Sequence, residues 1–310
     1  ITCLNEKIML KDLDSFSNSI KGKIRVNYSL KNHTWLNIGG NAKIFFVPET
    51  LSELRDFLLF LKEENNSFFV IGAGSNLLIS DNIQNRIFIK LGKNFNKISL
   101  TKTNVVIAGC SVLDNKVSNF ACENHLSGLE FLSCIPGSIG GGIRMNSGCF
   151  GTEFKDVLLS VQVMDFNGRV YTINSKNIKF GYRKTNLPKN LIFLSASFKT
   201  NKIDKKQIEE NVYKLKEKKE SSQPLRVKTG GSTFKNPKNQ LEKKVWELIK
   251  ENVNNQISFG DAKISEKHSN FFINSNNASF KDMNNLINFV KNNVKEKTGV
   301  SLELELEIVN

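Results

Sequence analysis

The chain has 310 residues, with 44 lysines and arginines against 30 aspartates and glutamates and a formal net charge of +14; that length supports two domains with hydrophobic cores of their own, without metal or disulfide staples. The charge invites a nucleic-acid partner, but the lysines alternate with asparagines, as in NNVKEKTG and KNPKNQLEKK, and the densest run, KLKEKKESSQPLRVK at 214–228, carries acids too, so none is expected. The longest apolar runs, such as FFVIGAG at 68–74, fall far short of a bilayer span of roughly 20 residues, and the opening ITCLNEKIML lacks the order of a signal peptide, so no membrane partner is expected either.

In chain order, an N-terminal segment (1–31) precedes the first clear helix. Thr50 and Glu53 form a capping-box pattern around Leu51, Leu54, Leu58 and Leu61 at helical spacing. Short β-like runs follow, FFVIG, RIFIKLG, NVVIAG, SVQVMDF and LIFLSASF, punctuated by Gly, Asn and Asp, and make the middle of the chain mixed α and β. A polar helical segment with Ile208, Val212 and Leu215 on one face then leads into SSQPLRVKTGG. The segment 201–223 is therefore a helical linker between a first domain (32–200) and a second (224–310). The second domain is expected to hold strands around STFKN and SNFFIN and helices near 242–251 and 279–297. Ser279 precedes Met283, Leu286, Ile287, Val290 and Val294 of the latter helix, Gly299 follows it, and LELELEIV forms a last strand.

Two glycine-dense stretches stand out. IPGSIGGGIRMNSGCFG (135–151) gathers Gly137, Gly140, Gly141, Gly142, Gly148 and Gly151 around Arg144 and Asn146. Glycine lets backbone approach a ligand closely and lets successive N–H groups point one way, as phosphate requires; the alternative is a tight turn in a buried bend. FFVIGAGSNLLIS sets Gly72-Ala73-Gly74-Ser75-Asn76 directly after a strand, where dinucleotide folds put a phosphate loop. The third glycine of G-x-G-x-x-G is Leu77, however, and no acid ends the next strand. That argues against a Rossmann fold and leaves a phosphate loop of another fold, or a β-turn.

Three further stretches carry chemistry-bearing residues. FGYRKT (180–185) puts Tyr182 and Arg183 at the foot of a strand, the arginine being either a surface charge or a planar fork for a carboxylate. In GGSTFKNP (230–237), Ser232 is either a turn serine or a proton donor toward a very basic carbon, with the Lys235 cation to stabilise the alkoxide left behind. No nucleophile-elbow sequence accompanies it. In SLELELEIV, Leu302, Leu304 and Leu306 alternate with Glu303, Glu305 and Glu307, and periodicity singles out none of the glutamates. The five cysteines (Cys3, Cys110, Cys122, Cys134 and Cys149) are scattered, and His33, His125 and His268 are the only histidines. Reduced thiols in a cytoplasm, and no metal site, are expected.

Taken in order, NHTWLNIGGNA (32–42), IGAGSNLLISD (71–81), LSGLEFLSCIPGSIGGGIRMNSGCFG (126–151), FGYRKT, GGSTFKNP, SEKHSNFFIN (265–274) and LELEIV resemble the UDP-N-acetylenolpyruvoylglucosamine reductases (UDP-N-acetylmuramate dehydrogenases), flavoenzymes of peptidoglycan precursor synthesis. The glycine loops also suit other flavoproteins of the vanillyl-alcohol-oxidase type, whereas GSTFKNP with SEKHSNF is specific to the reductases. The resemblance implies an α+β fold, with a two-part FAD-binding domain of the vanillyl-alcohol-oxidase (PCMH) type followed by a smaller α+β domain for the UDP-sugar. It implies FAD held by Gly72, Ala73, Gly74, Ser75 and Asn76 and by Pro136, Gly137, Ser138, Gly140, Gly141, Arg144 and Asn146. NADPH would be the co-substrate, and UDP-N-acetylglucosamine enolpyruvate would accept a hydride at its methylene carbon.

By motif position, Arg183 and Glu305 match the family's enol-stabilising pair and Ser232 its proton donor to the α-carbon; the second glutamate of the usual ending L-E-P-E-V-R selects Glu305. Tyr182, Lys235, Asn236 and His268 are expected at the substrate. A cytoplasmic monomer is expected, and the rival on the same fold is another FAD oxidoreductase acting on a sugar or alcohol. The chain departs from the family at Cys134 (usually glycine), at Cys149-Phe150 (usually Ala-Tyr), at Glu307 and Asn310 (usually arginine and glycine) and in NVNNQISFGDAK (252–263), which lacks a glycine-rich pattern. The short interval between Arg183 and LIFLS implies the compact subtype, without the tyrosine-bearing loop that some members fold over substrate.

Overall fold

Thr50 turns the chain into its first long helix. Its backbone is extended (φ −128°, ψ 160°) and its side chain accepts the Glu53 N–H at 3.1 Å, which satisfies one of the N–H groups orphaned at a helix start. Helix α1 (Leu51–Glu63) buries Leu54, Phe57, Leu58 and Leu61 on one face, each worth about 1.5–3 kcal/mol when fully buried. The Glu53 carboxylate reaches beyond the cap and accepts the main-chain N–H groups of Lys21 and Glu49, both at 2.8 Å. Burial pushes its pKa up, and these donors outweigh that and lower it.

The computed structural model describes residues 13–82, 84–237 and 243–310; Cys3, the opening of the N-terminal segment and residue 242, an expected helix start, lie outside these. Helix α1 shares a core with a four-stranded sheet in the order Lys23–Ser29, Asn41–Val47, Gln84–Ile89, Phe68–Val70, the last two parallel. The predicted strands FFVIG and RIFIKLG are those parallel partners, and the Phe46 and Phe57 rings meet at 4.1 Å between sheet and helix. A five-stranded antiparallel sheet follows, in the order Val170–Asn174, Leu158–Met164, Ile192–Phe198, Val106–Gly109, Ile98–Leu100. Its core includes Val117 and Ala121 of α2 (Asp114–Glu123) and Ile139 and Ile143 of α3 (Ile139–Met145).

Helix α3 is the segment IGGGIRM, expected as a cofactor loop. It is helical from Ile139 because its glycines admit close neighbours: a Cβ on Gly142 would enter the Phe154 ring, and one on Gly140 would lie 3.1 Å from the Cys110 carbonyl oxygen. After the polar helix α4 (Lys205–Ser222), which buries Ile208, a four-stranded antiparallel sheet runs in the order Lys228–Ser232, Phe271–Asn274, Ala262–Ile264, Ser258–Phe259. Helices α5 (Val245–Asn252) and α6 (Phe280–Thr298) pack with it through Leu248, Ile249, Met283, Leu286 and Val290. Helix α6 has the reciprocal cap legible in the sequence. Ser279 Oγ accepts the Asp282 N–H at 3.1 Å, Asp282 accepts the Ser279 N–H at 2.9 Å, and Gly299 ends the helix at φ +74°.

The run LELELEIV is not one strand. Leu304 bridges Phe234, residues 305 and 306 are irregular, and only Glu307–Val309 is a strand, parallel to Leu77–Ile79. The break arises because the N–H groups of both Glu305 and Leu306 turn to one acceptor, the Thr233 carbonyl, at 2.9 and 3.3 Å.

Two compact units result. One contains the chain up to Tyr28, Ala42–Gly72 and Asn85–Leu215; the other contains Ser29–Asn41, Ala73–Gln84 and Lys216–Asn310. The contiguous division at 201–223 read from composition differs from this, because two early segments fold with the C-terminal one. Gly40 N–H donates to Ser80 O at 2.8 Å, Ser80 N–H to Val309 O at 2.8 Å and Trp35 N–H to Gly74 O at 3.0 Å.

Candidate active site

In the unit that carries the C-terminus, Ser232 ends the strand Lys228–Ser232 and pairs with Phe271 after an irregularity at Gly230-Gly231. Gly231 has φ +79° with nothing near its Cβ position, and a Cβ on Gly230 would meet Leu306. The next residue, Thr233, is 2% exposed and accepts the Glu305 N–H, so main-chain hydrogen bonds join the segments bearing Ser232 and Glu305. Asn76 completes this anchor: its amide donates to Glu305 O at 2.9 Å, and its own carbonyl accepts the Glu307 N–H at 3.0 Å. Glu303 is 78% exposed at its side chain and Glu307 is exposed, whereas Glu305 is half-buried. Burial separates glutamates that the alternating pattern leaves equivalent.

The same unit holds the residues expected at the substrate, apart from Tyr182. Lys235 sets its Nζ 3.5 Å from Glu303 Oε2. Asn236 Oδ1 accepts the Val245 N–H at 3.1 Å and so caps α5. His268 is flanked by Trp246 and Phe271, with ring centroids 6.1 and 4.8 Å away, and its Nδ1 accepts the Asn270 N–H at 3.2 Å. Burial lowers its pKa, so the neutral ring is favoured with its proton on Nε2. Of the FAD-loop residues, Gly74 has φ +70° and leaves no room for a Cβ beside the His33 carbonyl, while Ala73 and Ser75 are half-buried.

In the other unit, Tyr182 and Arg183 form the turn of the hairpin Phe180–Gly181 with Lys184–Thr185. Arg183 has φ +55°, and its guanidinium lies 5.0 Å from the Tyr182 ring centroid. Its Nη2 donates to Gly148 O at 3.3 Å, and its Nη1 is 3.8 Å from Glu153 Oε1. Asn146, fully buried in the left-handed region at the end of α3, donates from Nδ2 to Glu153 Oε2 (3.0 Å) and Gly181 O (3.2 Å) and accepts the Lys155 N–H (3.0 Å). Arg144 donates to the carbonyls of Leu187, Pro188 and Leu191 at 2.9, 2.9 and 3.0 Å, and lies 4.3 Å from the Phe193 ring centroid. Both side chains, expected at a cofactor, thus bond the surrounding main chain and lock the 181–191 segment.

The glycine segments of this unit fit FAD. A Cβ on Gly72 would lie 2.5 Å from Ser138 Oγ, and one on Gly137 would lie 2.6 Å from Asp114 Oδ2. Ser138 is buried, and its hydroxyl has no hydrogen-bond partner among the described residues. A buried hydroxyl without a partner beside a glycine cradle is a ready donor for a polar, phosphate-bearing group. Pro136 and Gly141 are exposed beside it and Gly140 is half-buried. Among the described residues no cluster of three or more His, Cys, Asp and Glu is placed to hold a metal, and no helix is long and apolar enough to cross a membrane.

Several positions that steady this main chain are not singled out by the motif reading, although most of them lie within its motifs. Asn270 is buried and mimics a strand for Phe234, accepting its N–H at 3.0 Å and donating to its carbonyl at 2.9 Å. Glu153, Thr233 and Asn274 are likewise engaged with main chain or site residues. The available signal is the pair of asparagines bracketing FFI in SNFFIN, since asparagine is depleted in strands unless its side chain replaces a main-chain partner.

Comparison with known proteins gives matches over nearly the whole chain. Residues 42–174 match the family model for an FAD binding domain, and residues 223–309 match the C-terminal domain of UDP-N-acetylenolpyruvoylglucosamine reductase. The chain is 53% identical over 302 residues to the UDP-N-acetylenolpyruvoylglucosamine reductase of Pelagibacter ubique, covering 97% of this chain and 99% of that one. It is 43% identical over 288 residues to the enzyme of that name from Rickettsia prowazekii, covering 93% and 96%. The crystal structure of the Thermus caldophilus reductase superposes with a TM-score of 0.80 at 30% identity, over 94% of this chain and all of that one. With fold, glycine cradle and near-full-length likeness in agreement, the chain belongs to the UDP-N-acetylenolpyruvoylglucosamine reductase family.

Proposed function

We propose a division of labour among this chain's residues for the family's reaction, the reduction of UDP-N-acetylenolpyruvoylglucosamine. The chain is an FAD-dependent oxidoreductase of peptidoglycan precursor synthesis. When bound, FAD supplies a hydride, taken from NADPH, to the methylene carbon of the enolpyruvyl ether. Negative charge then develops on the α-carbon and its carboxylate, and the protein must stabilise that charge and deliver one proton. Arg183 binds the carboxylate end, Glu305 in its protonated form donates a hydrogen bond to the developing enolate, and Ser232 protonates the α-carbon. Lys235 lies three residues from Ser232 and supplies positive charge for the alkoxide.

The observation that supports this reading best is the Thr233 anchor. Its carbonyl holds the Glu305 main chain one residue from Ser232, while Asn76 holds the other side of Glu305, so both groups are preorganised rather than carried on a free loop. Gly72, Gly74, Gly137 and Ser138 are assigned to the cofactor, together with Ala73, Ser75, Pro136, Gly140 and Gly141; Arg144, Asn146 and Asn76 contribute by fixing the main chain of their own units. Tyr182, Asn236 and His268 are assigned to the substrate, His268 as an Nε2 donor. In this reading 224–310 binds the UDP-sugar, and the enzyme acts as a cytoplasmic monomer.

The test separates the two half-reactions under anaerobic conditions. Adding NADPH should bleach the flavin absorbance of the purified holoenzyme, and adding UDP-N-acetylenolpyruvoylglucosamine should restore it. Ser232→Ala should slow only the restoration, by about 10²–10⁴-fold, the usual contribution of a positioned proton donor. Equal slowing of both steps would remove Ser232 from the proton-donor role.

A further inference from the structure

We propose that Glu153 is a positioning residue for Arg183 that aims its guanidinium through a charge contact rather than a bidentate hydrogen bond. This rests on the reading of Arg183 as the enol-stabilising arginine. Three observations carry it. First, the two oxygens of Glu153 have different tasks. Oε2 accepts from Asn146 Nδ2 at 3.0 Å and pairs with Lys155 Nζ at 2.7 Å, whereas Oε1 stands 3.8 Å from Arg183 Nη1. A bidentate carboxylate would occupy the guanidinium fork with two short hydrogen bonds. Here the separation is too long for a hydrogen bond, and Lys155 shares the carboxylate charge.

Second, the other edge of the guanidinium is held by the residue that pairs with Glu153. Arg183 Nη2 donates to Gly148 O, and Gly148 is the cross-strand partner of Glu153. That pairing needs glycine at 148, since a Cβ there would lie 2.5 Å from Thr152 O and 2.7 Å from Glu153 Cγ. Third, Asn146 donates to Glu153 and to Gly181, so one fully buried amide sets both the carboxylate and the hairpin that carries Arg183. Arg183 itself sits at φ +55°, a left-handed conformation that disfavours a non-glycine residue and marks positions where side-chain placement outweighs backbone comfort.

The experiment uses the full-length FAD-loaded enzyme and the variants Glu153→Gln, Glu153→Asp, Arg183→Lys and the double variant Glu153→Gln/Arg183→Lys. Flavin bleaching by NADPH, its recovery with UDP-N-acetylenolpyruvoylglucosamine, substrate affinity from perturbation of the oxidised flavin spectrum, and melting temperature are measured on each. Glu153→Gln should slow recovery by about tenfold to a hundredfold, the cost of misplacing a catalytic group by about an ångström, with bleaching unchanged. Glu153→Asp, which keeps the charge and shortens the reach, should fall between it and the wild type. In the Arg183→Lys background, Glu153→Gln should add less than about twofold, as expected when two residues act as one unit. Equal slowing of bleaching and recovery, or an undiminished effect in that background, would reduce Glu153 to a scaffold residue and overturn the proposal. Arg183→Lys with unaltered recovery would instead overturn the role of Arg183 itself, and the proposal with it.

Discussion

Asp114 shows how one residue is set by its surroundings. It is fully buried at the start of α2, and among the described residues neither carboxyl oxygen has a hydrogen-bond partner. Burial raises its pKa well above the ordinary value. The folded state therefore keeps a proton that the unfolded chain loses above about pH 4. A raised folded pKa gives stability that is complete below the unfolded pKa and is lost as pH rises toward the folded one. Asp114→Asn does not titrate, so its urea midpoint relative to the wild type should improve steadily as the pH rises above about 4. Parallel curves for the two proteins would mean that Asp114 ionises alike in both states. Nothing in VLDNKV marks this aspartate as buried. Its partners in space are Gly137 and Cys110, and Asp at a helix start is ordinarily a solvated end.

At the scale of elements, local rules were legible wherever their partners are near in sequence. The caps of α1 and α6 are contacts across three residues, and their apolar faces follow the helical period, so both helices could be read directly. Helix α3 shows where the local rule loses. Three consecutive glycines argue against a helix, and Gly142→Ala would be expected to gain about 1 kcal/mol from propensity alone. Its Cβ would enter the Phe154 ring, and overpacking costs about 1–3 kcal/mol, so packing should win. Gly142→Ala is expected to lower the unfolding free energy measured in urea; a gain would mean that Phe154 moves aside. The C-terminal run shows the reverse failure. Its alternation suggests a strand from 302 onward, but Thr233 captures two successive N–H groups and breaks it.

At the scale of the whole molecule, each unit is assembled from distant pieces. Asn274, 3% exposed, ties a distant segment of its unit to the turn that follows it: Nδ2 donates to Leu36 O at 2.9 Å, and Oδ1 accepts from Asn276 N at 3.2 Å and Ala278 N at 2.8 Å. Asn274→Leu would strand those groups, each buried unpaired group costing about 1–3 kcal/mol, and should lower the unfolding free energy by at least about 2 kcal/mol. An unchanged thermal transition would show that Asn274 does not join the Leu36 segment to the C-terminal sheet. The sequence by itself determined the capped helices, several of the strands and the ordered motifs that resemble the family, because each is written in contacts or spacings of a few residues. Tertiary structure decided which glutamate of the last run is half-buried, which early segments fold with the C-terminal unit, and what steadies Arg183. The physical reason is distance along the chain: Glu305 takes its partners from Asn76 and Thr233, and Arg183 from Gly148 and Glu153, and no local period encodes a hydrogen bond between residues that only folding brings together.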